Sequence, residues 1–149
     1  MNTSLKWLAL ASLTNLIGNV LGTILAFQYN LTADFGGALN GQDVLRDFLG
    51  LKGTALSAPL SFLLIQLGLI RLAVRPGKSR KVVVGGLTFV GLFYTLAQVG
   101  EPIALRQFRP GGFDLAQAIV LFVNVASAIA MFVFGIRAWR TLRTPAPIV

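Results

Sequence analysis

The chain has no cysteine and no histidine. Their absence excludes disulfides, thiol nucleophiles, the usual zinc sites, histidine-ligated haem and any Ser-His or Cys-His catalysis. Without cysteine, nothing speaks to redox compartment. Charge is scarce as well: charged residues make up 12% of the chain, about half the share of a soluble domain. What remains is apolar, 55% of 149 residues. A single soluble domain of this length cannot hide so much apolar surface, and a bilayer is the solvent that accommodates it. The net charge of +8 would suit nucleic acid, but the basic residues sit at the ends of apolar segments, which is the pattern of membrane topology.

Four segments are long and apolar enough to be membrane helices at about 20 residues each: residues 5–27, 55–75, 82–100 and 113–139. The expected fold is all-α, an integral membrane four-helix antiparallel bundle forming one domain over 1–149. Segment 5–27 is uncharged after Lys6, and Asn15 and Asn19 interrupt its apolar run, which argues for a retained helix over a cleaved signal peptide. Its Ser12, Asn15, Asn19 and Thr23 share a face with Gly18 and Gly22, a small-xxx-small spacing that admits a second backbone. In segment 55–75, Pro59 falls in the first turns, where a missing N–H is tolerated. In segment 113–139, Asp114, Gln117, Leu121, Asn124, Ala128, Met131 and Gly135 repeat at three and four, a bundle-facing seam.

The links carry their own signals. Loop 28–54 is the longest, and 43–49 reads as a short amphipathic helix, or a solvated loop, with Val44, Leu45, Phe48 and Leu49 on one side. Asn30-Leu31-Thr32 matches a glycosylation acceptor, a motif common by chance. The basic turn 76–81 is short enough to make its flanking helices antiparallel neighbours. Loop 101–112 opens on Glu101-Pro102, where the proline disfavours helical geometry at Glu101.

Lys6, Arg71, Arg75, Lys78, Arg80, Lys81, Arg137, Arg140 and Arg143 fall at one end of this arrangement with no acid among them; all five acids fall at the other, with Arg46, Lys52, Arg106 and Arg109. The positive-inside rule then places both termini in the cytoplasm, as in a bacterial inner membrane protein.

That topology brings polar residues toward one level. Asn19, Gln66, Tyr94, Gln98, Glu101, Asp114, Gln117 and Asn124 are the candidate ligand-binding residues, with Glu101 and Asp114 at the mouth of an outward-facing pocket. Polar groups at membrane depth are costly and face a bundle interior or a cavity. Three functions follow. The first is binding of a lipophilic or cationic small ligand, as a carrier, receptor or transport component. The second is an enzyme on a lipid-like substrate, with the two carboxylates as acid and base. The third is an accessory subunit, homo-oligomeric or in a larger complex, that grips its partner through the Gly18/Gly22 face. Interhelical hydrogen bonding without any ligand accounts for the same amides and hydroxyls. No catalytic, cofactor or metal motif stands out, and no nucleic-acid partner is expected.

Overall fold

The computed structural model describes residues 3–34, 38, 41–73, 75 and 80–143. These contain six helices and no strand: α1 (Thr3–Tyr29), α2 (Val44–Leu49), α3 (Leu60–Ala73), α4 (Arg80–Gly100), α5 (Pro102–Arg106) and α6 (Leu115–Arg143). Residues 76–79 of the expected basic turn, and the tail 144–149, lie outside the described residues.

Three helices, α1, α4 and α6, are long and apolar enough to cross a membrane. At about 1.5 Å per residue they span about 40, 32 and 43 Å, against about 30 Å of hydrocarbon. Polarity is distributed inside out. Ser12, Asn15, Gln66 and Asn124 are wholly buried, whereas Val82, Phe89 and Phe122 are at least 65% exposed. A water-soluble fold sorts these residues the other way. The chain is therefore an integral membrane protein.

Contacts fix the helix directions. Trp7 stacks on Phe134, and Asn15 bonds to Asn124, so α1 and α6 are antiparallel. Gly91 meets Met131 and Gly85 meets Trp139, so α4 and α6 are antiparallel. Gln66 bonds to Ser12 and Ala58 to Asn19, which orients α3 against α1. Phe62 stacks on Phe93 and Gly86 meets Leu69, which orients α3 against α4. Helices α1, α3, α4 and α6 thus form a four-sided arrangement in which α6 packs on α1 and α4, and α3 closes the opposite side.

Helix α3 departs from expectation. It begins at Leu60, five residues after the expected start, and at 14 residues it spans only about 21 Å. The cause is local. Pro59 disfavours helical geometry at Ala58. The Thr54 hydroxyl accepts from the N–H groups of Leu56 and Ser57 at 3.3 and 3.0 Å, offering this backbone a turn in place of a helix. Gly53, at φ +79°, sets the bend before it. The resulting non-helical stretch, residues 54–59, enters the bundle with Thr54, Leu56 and Ser57 buried.

Other boundaries differ less. Helix α6 starts at Leu115 because the Asp114 carboxylate accepts from the Gln117 N–H at 2.9 Å, an N-cap. Loop 101–112 contains α5, for which Pro102 supplies a pre-set first residue and Glu101 stays extended at φ −73°, ψ 132°. Helix α2 forms with Asp43 as its cap, burying Val44 and Asp47 and setting Phe48 edge-on to Phe27 of α1. Leu45 and Leu49, expected on the same side as Val44, are exposed.

Candidate functional site

The polar residues of the core do one thing first: they satisfy the backbone of the non-helical stretch. Irregular backbone at membrane depth persists only where its N–H and C=O groups find partners within the protein. The Leu56 carbonyl accepts from Asn124 Nδ2 at 3.0 Å and from Gln98 Nε2 at 3.4 Å. The Ala58 N–H donates to Asn19 Oδ1 at 2.9 Å. The Ser57 hydroxyl pairs with Thr23 at 2.8 Å and Thr54 at 3.0 Å. Helices α1, α4 and α6 each send an amide to this stretch.

Asn15 links these contacts. Its Nδ2 donates to the Asn124 carbonyl at 3.0 Å and to the Ser127 hydroxyl at 3.1 Å. Its Oδ1 accepts from Gln66 Nε2 and from Asn19 Nδ2, each at 3.2 Å. Gln66 also donates to the Ser12 carbonyl at 3.0 Å. Each amide orientation follows from chemistry, because a carbonyl can only accept and the nitrogen must face it.

The glycines of α1 serve the same stretch. A Cβ on Gly22 would strike the Leu56 carbonyl, and one on Gly18 would strike Asn124 Oδ1. The face proposed to grip a second protein is thus occupied within the chain. Asn124 Oδ1, which makes no conventional hydrogen bond, rests on the Gly18 backbone.

Beside the non-helical stretch lies a pocket of about 290 Å³ between residues 51–62 and α4. Phe62, Phe93 and Tyr94 supply aromatic walls, with the Phe62 and Phe93 rings 5.6 Å apart. Thr54, Ser57, Gln98 and Glu101 supply polar atoms, and Lys52 sits at the rim, 3.9 Å from Asp47. Tyr94, Gln98 and Glu101 occupy i, i+4 and i+7, one stripe of a helix. All three are at least 93% buried. Glu101 Oε2 accepts from the Asp34 N–H at 3.2 Å.

Of the eight candidate residues, then, Tyr94, Gln98 and Glu101 line this pocket. Asn19, Gln66 and Asn124 belong to the buried network behind it. Asp114 and Gln117 lie elsewhere, at the start of α6: Asp114 caps that helix, its N–H donates to Gln107 Oε1 at 2.9 Å, and Gln117 accepts from Gln107 at 3.3 Å. The two carboxylates expected at one mouth have separate duties, and Asp114 is not among the residues that line the pocket. The pocket also contains Thr54, Ser57, Phe62 and Phe93, which were not candidates. The pointer to them in the sequence was Pro59 preceded by Thr54 and Ser57, a helix-delaying combination. No group of three or more carboxylates that could hold a metal is found among the described residues.

Comparison with protein-family models, with curated proteins and with solved structures gives no significant match.

Proposed function

We propose that this membrane protein binds a small lipophilic ligand in the pocket between the non-helical stretch and α4, as a carrier, receptor or transport component. The pocket itself is the observation that carries this reading. Its volume is near the lower bound, about 300 Å³, for small-molecule sites, and its mixture of aromatic walls with a few convergent polar groups is their usual lining. A broken segment at membrane depth is also where transporters place their binding sites.

The accompanying topology is four crossings with both termini cytoplasmic, in a bacterial inner membrane. Helix α3 and residues 54–59 together make the second crossing. The alternating helix directions, and a basic end without acids opposite an end with all five, support this arrangement.

The paired-carboxylate enzyme is the weaker reading, because Asp114 is committed to capping α6. An accessory subunit that grips a partner through Gly18 and Gly22 is weaker too, since both glycines already touch buried atoms of this chain.

Native mass spectrometry of the detergent-released protein tests the proposal. The wild type is compared with Ala97→Phe, which fills the pocket from its α4 wall. A discrete adduct on the wild type, absent from the variant, is the expected result. A bare peak after mild extraction, with a second polypeptide in fixed ratio, would replace ligand binding with the accessory role.

A further inference from the structure

A second recess, of about 420 Å³, lies between α4 and α6 toward their basic end. Gly85, Phe89 and Leu92 of α4 face Phe132, Ile136 and Arg140 of α6 across it. Phe89 is 65% exposed and Leu92 38% exposed, so on these membrane-spanning helices the recess opens toward lipid. It exists because its floor takes little room. The Trp139 ring lies against Gly85, where an added Cβ would stand 3.2 Å away. Thr88 packs on Gly135, and its hydroxyl donates to the Val84 carbonyl at 2.6 Å, so that polar group is engaged within its own helix. The lining is thus apolar until its last turn. In a bilayer, the neighbours available to such a recess are acyl chains and other helices.

Charge decides between them. Arg140 lines the basic end of the recess and is exposed. It has an interaction of its own within the chain, and a guanidinium with five N–H donors has others to offer. Lys81, also exposed, lies one turn before Gly85 on the same face of α4. The five acidic residues fall at the opposite end of the helices, after α1 and α4 or before α3 and α6. The field at the mouth of the recess is therefore positive. Trp139, half-buried at the same level, is the kind of residue that marks the headgroup boundary. The anion that a membrane supplies at that boundary is a lipid headgroup.

We propose that the recess between α4 and α6 binds one anionic phospholipid. An acyl chain lies along Gly85, Phe89 and Ile136, and the headgroup meets Arg140 and Lys81. Basic recesses between membrane helices suit anionic headgroups in this way. The site is separate from the pocket beside residues 54–59, and the inference holds whether or not that pocket takes a ligand. A zwitterionic lipid with the same chains would fill the recess but bring no net charge to the two cations. It binds more weakly, by about fivefold for each cation that reaches the headgroup.

The test mixes the full chain, stripped of lipid in a neutral maltoside detergent, with equal amounts of dioleoyl phosphatidylglycerol and dioleoyl phosphatidylcholine. Native mass spectrometry reads which lipid is retained first. The wild type is expected to favour phosphatidylglycerol by about tenfold or more. Lys81→Gln with Arg140→Gln brings the two lipids to near-equal retention. Ile136→Trp fills the recess from its α6 wall without touching either charge, and lowers retention of phosphatidylglycerol by about tenfold. The preference is read on the wild type alone, so a variant that fails to fold does not suspend the test. Equal retention of both lipids by the wild type overturns the inference. A preference that survives the double variant does so too, because its source would then be charge elsewhere. Loss of the adduct in Ala97→Phe, but not in Ile136→Trp, would move the lipid to the pocket beside residues 54–59. A dimer or a second polypeptide released by Ile136→Trp would give the recess to a protein helix instead.

Discussion

The side-chain amide of Asn124, in α6, donates to the backbone carbonyl of Leu56 at 3.0 Å across 68 residues of sequence. The carbonyl belongs to residues 54–59, which have no helix of their own to satisfy them. Gln98 reaches the same oxygen from α4, but at 3.4 Å, a weaker contact. Asn124→Leu keeps the branched shape, with bulkier methyl groups in place of the amide oxygen and nitrogen, and removes the stronger donor. Interhelical hydrogen bonds in membranes average about 0.6 kcal/mol, with a maximum of about 1.7, because an unfolded helix finds other partners. This carbonyl is fixed in an irregular stretch, so a loss near the upper figure is expected. Unfolding in mixed micelles with increasing dodecyl sulfate reads it. An unchanged midpoint would mean that Gln98 suffices.

Two glycine-to-alanine substitutions should have opposite signs. Gly22 lies against the Leu56 carbonyl, and a Cβ there has no flexible neighbour to displace. Overpacking of this kind costs about 1–3 kcal/mol. Gly68, in α3, has nothing within 4 Å of an added Cβ. There alanine relieves the entropic penalty of a helical glycine and stabilises by about 0.5–1 kcal/mol. Thermal unfolding in one detergent measures both. A destabilising Gly68→Ala would reveal a neighbour at that surface, such as a second copy or another protein.

Asp114 separates a cap from a binding group. Its side chain accepts from the Gln117 N–H at 2.9 Å. Asp114→Ala removes the cap and lowers stability by about 0.5–2 kcal/mol, whereas Asp114→Asn retains most of it. Ligand retention in native mass spectra should be intact in both variants once each is folded. Loss of the adduct in Asp114→Asn, without loss of stability, would restore Asp114 to the binding site.

Much of this architecture was legible in the sequence because the signals were periodic. The seam through Asn124, Ala128, Met131 and Gly135 is buried as its spacing required. The membrane character of the long helices needed only run length and the placement of basic residues. What escaped was non-periodic. The run that includes 54–59 is apolar enough to pass for helix, and its turn depends on the Thr54 hydroxyl and Pro59 acting together. Once that break is missed, the backbone partners of Asn19, Gln98 and Asn124 are invisible in the sequence, and Gln98 lines the pocket as well. The capping role of Asp114 escaped for a related reason. Topology sets the level of a residue in the membrane but not the direction its side chain takes, and an N-cap turns its carboxylate back on its own helix.

The shortness of α3 makes its crossing the part of the topology most worth measuring, and the lack of cysteine makes the measurement clean. Fourteen helical residues cover about 21 Å, some 9 Å less than the hydrocarbon. If residues 54–59 supply the remainder, Arg75 lies on the opposite side of the membrane from Phe108. Single cysteines at Phe108, Arg75 and Thr141 report this by reaction with a membrane-impermeant maleimide on intact cells. Phe108 is 87% exposed in the loop before α6, and Arg75 and Thr141 are exposed at the basic end. Labelling at 108 alone, with 75 and 141 reacting only after permeabilisation, is the expected outcome. Labelling at 75 as well as 108 in intact cells would mean that α3 re-enters without crossing. The broken stretch would then be a loop dipping into the membrane, and the pocket beside it would need an entry route other than the acidic end.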